Sequence, residues 1–263
     1  LLQQGGKQNF VCSPFSVWLS LAALVNATDA ANKPALLKSL GAAGFSEKAL
    51  NESVSETLYN LTDERNRGTG FYHNPLQIAN AVFVGKTMTL QKEFQATVAD
   101  SYRGTTQAVD FGSPKAVKDV NAWASKNTNG LIKEIVQDFD PQTVAANATG
   151  KLLLPRFSID SDCMDLTDAL QTLGVPLFDA KAAPLSGLVQ GNVPVSLSGA
   201  VQKAVITVDE RGTTAAAVTV IPATGSGPPI PTKPFSMICD KPFVFILCGD
   251  RRQILFTGVV NQL

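Results

Sequence analysis

The chain has 263 residues, of which 44% are hydrophobic, with 22 Lys plus Arg against 22 Asp plus Glu. That composition is globular, enough for one large core or two ordinary ones, and the balanced charge leaves no net field to favour nucleic acid or an anionic membrane. No apolar run approaches the ~20 residues of a membrane span, and Leu1-Leu2-Gln3-Gln4 lacks the basic start and long apolar stretch of a secretion signal, so a mature or trimmed N-terminus is expected.

Ser13-Pro14 opens the first predicted helix. Serine is a good N-cap and proline suits the first turn, while Phe15, Val17, Trp18, Leu19, Leu21, Ala22, Leu24 and Val25 make the helix apolar on most faces, which predicts burial. Shorter helices are predicted over 35–40, ended by Gly41, and over 47–61 behind a Ser46 cap. Residues 76–84 are nearly all apolar and predict an interior strand. Residues 90–103 return to helical spacing, with Phe94, Val98 and Tyr102 on one face before Gly104. A second cap pair, Ser113-Pro114, starts a helix carrying Val117, Val120 and Trp123 that closes at Asn129-Gly130. The second half favours strands at 152–159, 193–208, 243–248 and 254–260, with a helix at 165–173 stopped by Gly174. Mixed order without βαβ regularity or internal repeat predicts an α+β fold.

Between the strands ending near Val208 and starting at Phe243 lies a connection far longer than an ordinary loop, running from Glu210-Arg211-Gly212 to Pro231. Its first half is small and β-branched and could enter a sheet; its second half, rich in glycine and proline, could not. As a strand, 213–221 would place Thr213, Ala215, Ala217, Thr219 and Ile221 on one face, mostly small enough for a gap in a packed sheet. The plain alternative is a disordered Ala/Thr/Pro linker.

Val208-Asp209-Glu210-Arg211-Gly212-Thr213-Thr214-Ala215-Ala216-Ala217 resembles the hinge of the serpins, and Lys241-Pro242-Phe243-Val244-Phe245 the strand that follows their reactive loop. Further collinear matches are Asn9-Phe10-Val11-Cys12-Ser13-Pro14-Phe15-Ser16, Ala79-Asn80-Ala81-Val82-Phe83, Val109-Asp110-Phe111, Asn121-Ala122-Trp123, Thr128-Asn129-Gly130-Leu131-Ile132, Leu154-Pro155-Arg156-Phe157 and Phe256-Thr257-Gly258-Val259-Val260-Asn261. The resemblance implies one domain over residues 1–263, with N-terminal helices on a large main sheet, smaller sheets and an exposed reactive loop. It also implies a monomeric inhibitor whose partner is a target peptidase, held as a covalent complex, with no cofactor.

In that family the peptidase cleaves the loop, forms an acyl-enzyme and is dragged away as the hinge enters the main sheet, so the native fold is kinetically trapped. Glu210, Gly212, Thr213, Thr214, Ala215, Ala216 and Ala217 are the implied hinge, and their small side chains suit insertion. Pro222 cannot donate to a ladder, a loss of about 1 kcal/mol net. The family distance from Glu210 puts the scissile bond at Ser226-Gly227, with neighbouring bonds from Ala223 onward as alternatives. No base lies there, and Lys233 precedes Pro234, so the expected target accepts small residues: an elastase-like or subtilisin-like serine peptidase ahead of a cysteine peptidase. Ser13, Ser16 and Gln202 correspond to a sheet-opening cluster in which serpins commonly place a histidine at the Gln202 position.

Near 147–152 a long stretch of the family fold is absent, including the strand beside which the loop normally inserts. Either the gene product is shortened or two pieces have been joined there. The rival reading within the family is a non-inhibitory scaffold serving as storage protein, carrier or chaperone. An enzyme is not expected: the single histidine, His73, lies in a turn-like stretch, and there is no GxSxG motif, paired carboxylate, glycine-rich phosphate loop or metal-ligand cluster. Arg65 and Arg67 beside Asp63 and Glu64 make a mixed surface without polyanion specificity. Cys12, Cys163, Cys239 and Cys248 lack CxxC spacing and read as buried thiols, with a Cys239–Cys248 disulfide as the alternative. Sequons at Asn26, Asn51, Asn60 and Asn147 point towards secretion and glycosylation.

Overall fold

The structure, a computed structural model, describes residues 8–62, 79–110, 113–128, 150–161, 164–191, 193–209, 212–213, 235–239, 241–248 and 253–261. In chain order its elements are β1 (Phe10–Cys12), α1 (Pro14–Val25), α2 (Lys33–Ser39), α3 (Glu47–Thr62), β2 (Ala81–Gly85), α4 (Lys92–Tyr102), β3 (Thr105–Val109) and α5 (Pro114–Asn127). They continue with β4 (Gly150–Leu153), β5 (Phe157–Asp160), β6 (Met164–Asp165), α6 (Thr167–Thr172), β7 (Val201–Gln202), β8 (Val205–Asp209), β9 (Gly212–Thr213), β10 (Phe235–Ile238), β11 (Phe243–Cys248) and β12 (Ile254–Val260). His73, Asn129-Gly130 and the first part of the strand predicted over 76–84 fall outside the described residues.

The caps form as their residue types require. Ser13 Oγ accepts from Ser16 N at 3.2 Å at the head of α1, Ser46 Oγ from Ala49 N at 3.2 Å before α3, and Ser113 Oγ from Lys115 N at 3.2 Å before α5. α1 is buried along most of its length, whereas α3 buries one stripe, Leu50, Val54 and Leu58. α4 buries Phe94, Val98 and Tyr102, again at i, i+4 and i+8. Each such large side chain contributes about 2 kcal/mol by leaving water. At the end of α4 the left-handed residue is Arg103 (φ 50), not Gly104. Gly104 is needed instead for close approach, since a Cβ there would lie 2.8 Å from Val98 Cγ1.

Five sheets follow. β2 and β3 pair in parallel, Ala81 against Thr105 through Gly85 against Val109, and with α4 between them form a βαβ unit that the chain's overall irregularity hid. β1, β12 and β11 are antiparallel, with Gly258 beneath both neighbours: a Cβ there would meet Phe10 O at 2.3 Å and the Phe245 ring at 2.5 Å. β4 pairs parallel with β10, β6 antiparallel with β7, and β5, β8 and β9 form the third antiparallel group. Phe157 of β5 packs on Phe243 and Phe245 of β11, ring centroids 6.0 and 5.3 Å apart.

Three expectations change. The strand predicted over 152–159 is two strands in different sheets, because Pro155 between β4 and β5 has no N–H for a ladder. The strand predicted over 193–208 is extended only at β7 and β8; Val195 and Leu197 are held instead by loop bonds, Leu185 N to Val195 O and Leu197 N to Leu177 O. Cys239 and Cys248 are free, the first buried and the second exposed, so the alternative disulfide is absent and the buried-thiol expectation fails at Cys248. Cys12 is buried and free, and burial raises its thiol pKa, so it stays protonated and inert; Cys163 is outside the described residues.

Candidate functional site

β8 carries β5 on one side and β9 on the other. In the first pairing Phe157 faces Val208 and Ile159 faces Ile206, and the same register continues to Ser161 N donating to Ala204 O at 3.0 Å. Even-numbered residues of β8 therefore turn their main-chain groups towards β5, and Val205, Thr207 and Asp209 turn theirs to the opposite edge. There Gly212 and Thr213 pair with Asp209 and Val208. Among the described residues nothing pairs with that edge beyond Val208. Glu210, Thr214, Ala215, Ala216, Ala217, Ser226 and Gly227 lie outside the described residues, so of the predicted hinge the structure places Gly212 and Thr213 alone.

The three cluster residues come together. Gln202 of β7 donates from Nε2 to Ser13 O at 2.7 Å and accepts at Oε1 from Ser13 N at 2.9 Å. Ser13 Oγ donates to Leu255 O at 2.8 Å, tying the head of α1 to β12. Ser16 joins through its main-chain N–H on Ser13 Oγ, and its own hydroxyl donates to Asn80 Oδ1 at 3.1 Å. Ser13 and Gln202 are buried.

Two parts of this site were missed from sequence. Asn80 precedes β2, accepts from both Ser16 and, at 3.4 Å, Ser20, and keeps a buried Nδ2 without a partner among the described residues. Its one sequence signal was a place inside the Ala79–Phe83 match. Lys203 and Asp160 form an ion pair at 2.7 Å with 4% and 21% of their side chains exposed. Forty-odd residues separate them, and only the β5–β8 register brings them together. Next to them Ser161 Oγ donates to Ala204 O at 3.0 Å and accepts from Ala204 N at 3.1 Å. A continuous path of hydrogen bonds thus runs from Asn80 at β2 through Ser16 and Ser13 to Gln202 at the foot of β8.

The sequence model of the serpin family (serine protease inhibitor) matches residues 1–149 and 145–263. The chain belongs to the serpin family. Serpin-ZX of Hordeum vulgare is 35% identical over 135 residues, 51% of this chain and 33% of that protein, so this match spans a third of the relative's length. Alpha-1-antiproteinase of Rattus norvegicus is 24% identical over 371 residues, covering 99% of this chain and 85% of that one. Among solved structures, Serpin48 of the insect Tenebrio molitor superposes with a TM-score of 0.75 at 23% identity, covering 100% of this chain and 94% of the other. Human thyroxine-binding globulin complexed with its ligand superposes at 0.70 and 19% identity, covering 99% and 93%. The fold is the α+β serpin fold.

Proposed function

We propose that this serpin inhibits a peptidase as a suicide substrate, and the observation carrying the proposal is the pairing of Gly212 and Thr213 with the outer edge of β8. The loop is already started as a strand there. Continuing the same register would set Thr214 against Thr207, Ala215 against Ile206, Ala216 against Val205 and Ala217 against Ala204. Thr213, Ala215 and Ala217 would then share the face of Val208, Ile206 and Ala204, which are buried. Small side chains are what that face admits.

The peptidase nucleophile attacks the Ser226 carbonyl, the peptide nitrogen of Gly227 leaves with a proton, and the ester to the enzyme persists while residues after Thr213 zip along β8. Each added pair exchanges water-bonded main chain for ladder bonds. Small residues at 223–227 favour an elastase-like or subtilisin-like serine peptidase. Incubation with such peptidases followed by denaturing electrophoresis tests this: a band at the summed mass is expected, and its absence with every class removes the inhibitory reading.

A non-inhibitory scaffold is the second reading, favoured by Pro222 and by the likeness to thyroxine-binding globulin. Limited proteolysis followed by thermal melting separates the two, because cleavage raises stability sharply only where the loop inserts. Secretion, a monomeric state, a single domain with a junction near 147–152, and the absence of nucleic-acid and membrane partners belong to the same proposal. No helix among the described residues is long and apolar enough to cross a membrane. Val244 and Ile246 on β11, about 60% exposed, and an edge of β8 that pairs with nothing beyond Val208 among the described residues fit a fold that has lost neighbouring strands. An intact mass of the natural protein tests whether the middle is shortened.

A further inference from the structure

Three sequons fall on described residues, and the fold treats their amides differently. Asn26 ends α1, where its Nδ2 donates to Ala23 O and to Asn51 Oδ1, both at 3.1 Å. Asn51 in α3 returns a bond from its own Nδ2 to Asn26 Oδ1 at 2.8 Å, and its Oδ1 also accepts from the Tyr102 hydroxyl of α4 at 2.7 Å. The two amides therefore clasp three helices, and both hydrogens of Asn26 Nδ2 are in use. The acceptor sequence at Asn26 is closed at its other end too: Thr28 is buried and its hydroxyl donates to Leu24 O at 2.7 Å. Asn60 is the opposite case. It is exposed in the last turn of α3, and its side chain makes no hydrogen bond to described residues.

We propose that Asn60 carries an N-linked glycan in the folded protein, whereas Asn26 and Asn51 carry none. This rests on the secretory reading given above. The co-reactant is an oligosaccharide on a lipid pyrophosphate: Asn60 Nδ2 attacks the anomeric carbon, the N–C bond forms, and the C–O bond breaks. The lipid pyrophosphate leaves with the electron pair, and the amide releases one proton to the transferase's base. Transfer precedes closure of the last turn of α3, since in the fold the Thr62 hydroxyl of this sequon donates to Leu58 O at 2.7 Å. A sugar on Asn60 then projects into solvent without displacing a bond. A sugar on Asn26 replaces a hydrogen that the fold uses, and one on Asn51 must fit beside an amide held from α1 and α4, so chains modified there stay out of the folded fraction.

The test is to express the chain behind a cleavable secretion signal, with a control sequon appended, in a glycosylating eukaryotic host. Folded monomer is separated from aggregate, and sites are mapped by mass spectrometry after a peptide-N-glycan amidase in heavy-oxygen water has converted each modified Asn to labelled Asp. Expected are modification at Asn60 and none at Asn26 or Asn51 in the monomer, with Asn60→Gln losing one glycan and keeping its melting temperature. A glycan on Asn26 or Asn51 in folded monomer, or a bare Asn60 in chains whose control sequon is occupied, overturns the proposal. Because the signal is supplied, failure of the natural precursor to enter the secretory route is a separate result that refutes the secretory reading and leaves the choice among sites standing or falling on the mapping.

Discussion

Gln202 holds Ser13 by its main chain at both polar atoms, donating to its carbonyl at 2.7 Å and accepting from its N–H at 2.9 Å. This is the hydrogen-bond pattern of a strand partner supplied by a side chain, and it fixes the head of α1 to β7. Gln202→Ala leaves two buried main-chain groups unpaired and should cost about 2 kcal/mol in urea unfolding. Gln202→Glu is more informative. A carboxylate cannot donate to Ser13 O, while the protonated acid can, so the folded pKa of the new acid is raised. The variant should approach the parent near pH 4 and fall behind as pH rises; equal deficits at pH 4 and 7.5 would exclude this account.

Lys203 and Asp160 predict a second effect. Lys203→Met strands a carboxylate that is mostly out of water, and the expected loss is about 3 kcal/mol. Combining it with Asp160→Asn should recover part of that loss, because the stranded charge is gone. A double variant as unstable as the sum of the singles would show the pair to be uncoupled.

Tyr102 makes the fold sensitive to alkali. Its hydroxyl donates within the Ala22 O and Asn51 Oδ1 pair, and burial pushes its pKa up to about 12. The folded state keeps this proton where the unfolded state has released it, so the associated stability is fully present below pH ~10 and declines by roughly 2 to 3 kcal/mol as pH rises towards 12. Denaturant midpoints across that range should fall in the parent and fall less in Tyr102→Phe.

Thr213→Arg tests the sheet edge. Thr213 is the register partner of Val208, which is buried, so on the proposed insertion a long cation at 213 would be drawn out of water and would oppose pairing. On the inhibitory reading the target peptidase cleaves this variant and is released, and the moles of protein consumed per mole of enzyme silenced rise at least about tenfold. The intact protein gives up only the two-residue β9 pairing, so its melting temperature should fall slightly while inhibition falls far more. Unaltered inhibition by Thr213→Arg would count against insertion along β8.

Helices were the most legible part of the chain, because caps and apolar spacing act within a few residues: Ser13-Pro14, Ser46 and Ser113-Pro114 each start a helix where their chemistry says. Strands were less so. Residues 152–159 look like one apolar run, yet the missing N–H of Pro155 divides them between sheets. Cys248 looks like a core thiol in an apolar segment, yet β11 alternates and turns it outward with Val244 and Ile246.

By itself the sequence determined the family and the helices, since each rests on residue types in local order. Only the tertiary structure paired Gly212 and Thr213 with the outer edge of β8. It also decided that Gln202 grips main chain where a pH-sensitive side chain is commonly placed, that Asn80 and the Lys203–Asp160 pair join the site, and that two of the sequons are locked into a helix clasp. All of these depend on registers and contacts between segments tens to hundreds of residues apart, and no local pattern encodes a register until the strands that share it are packed together.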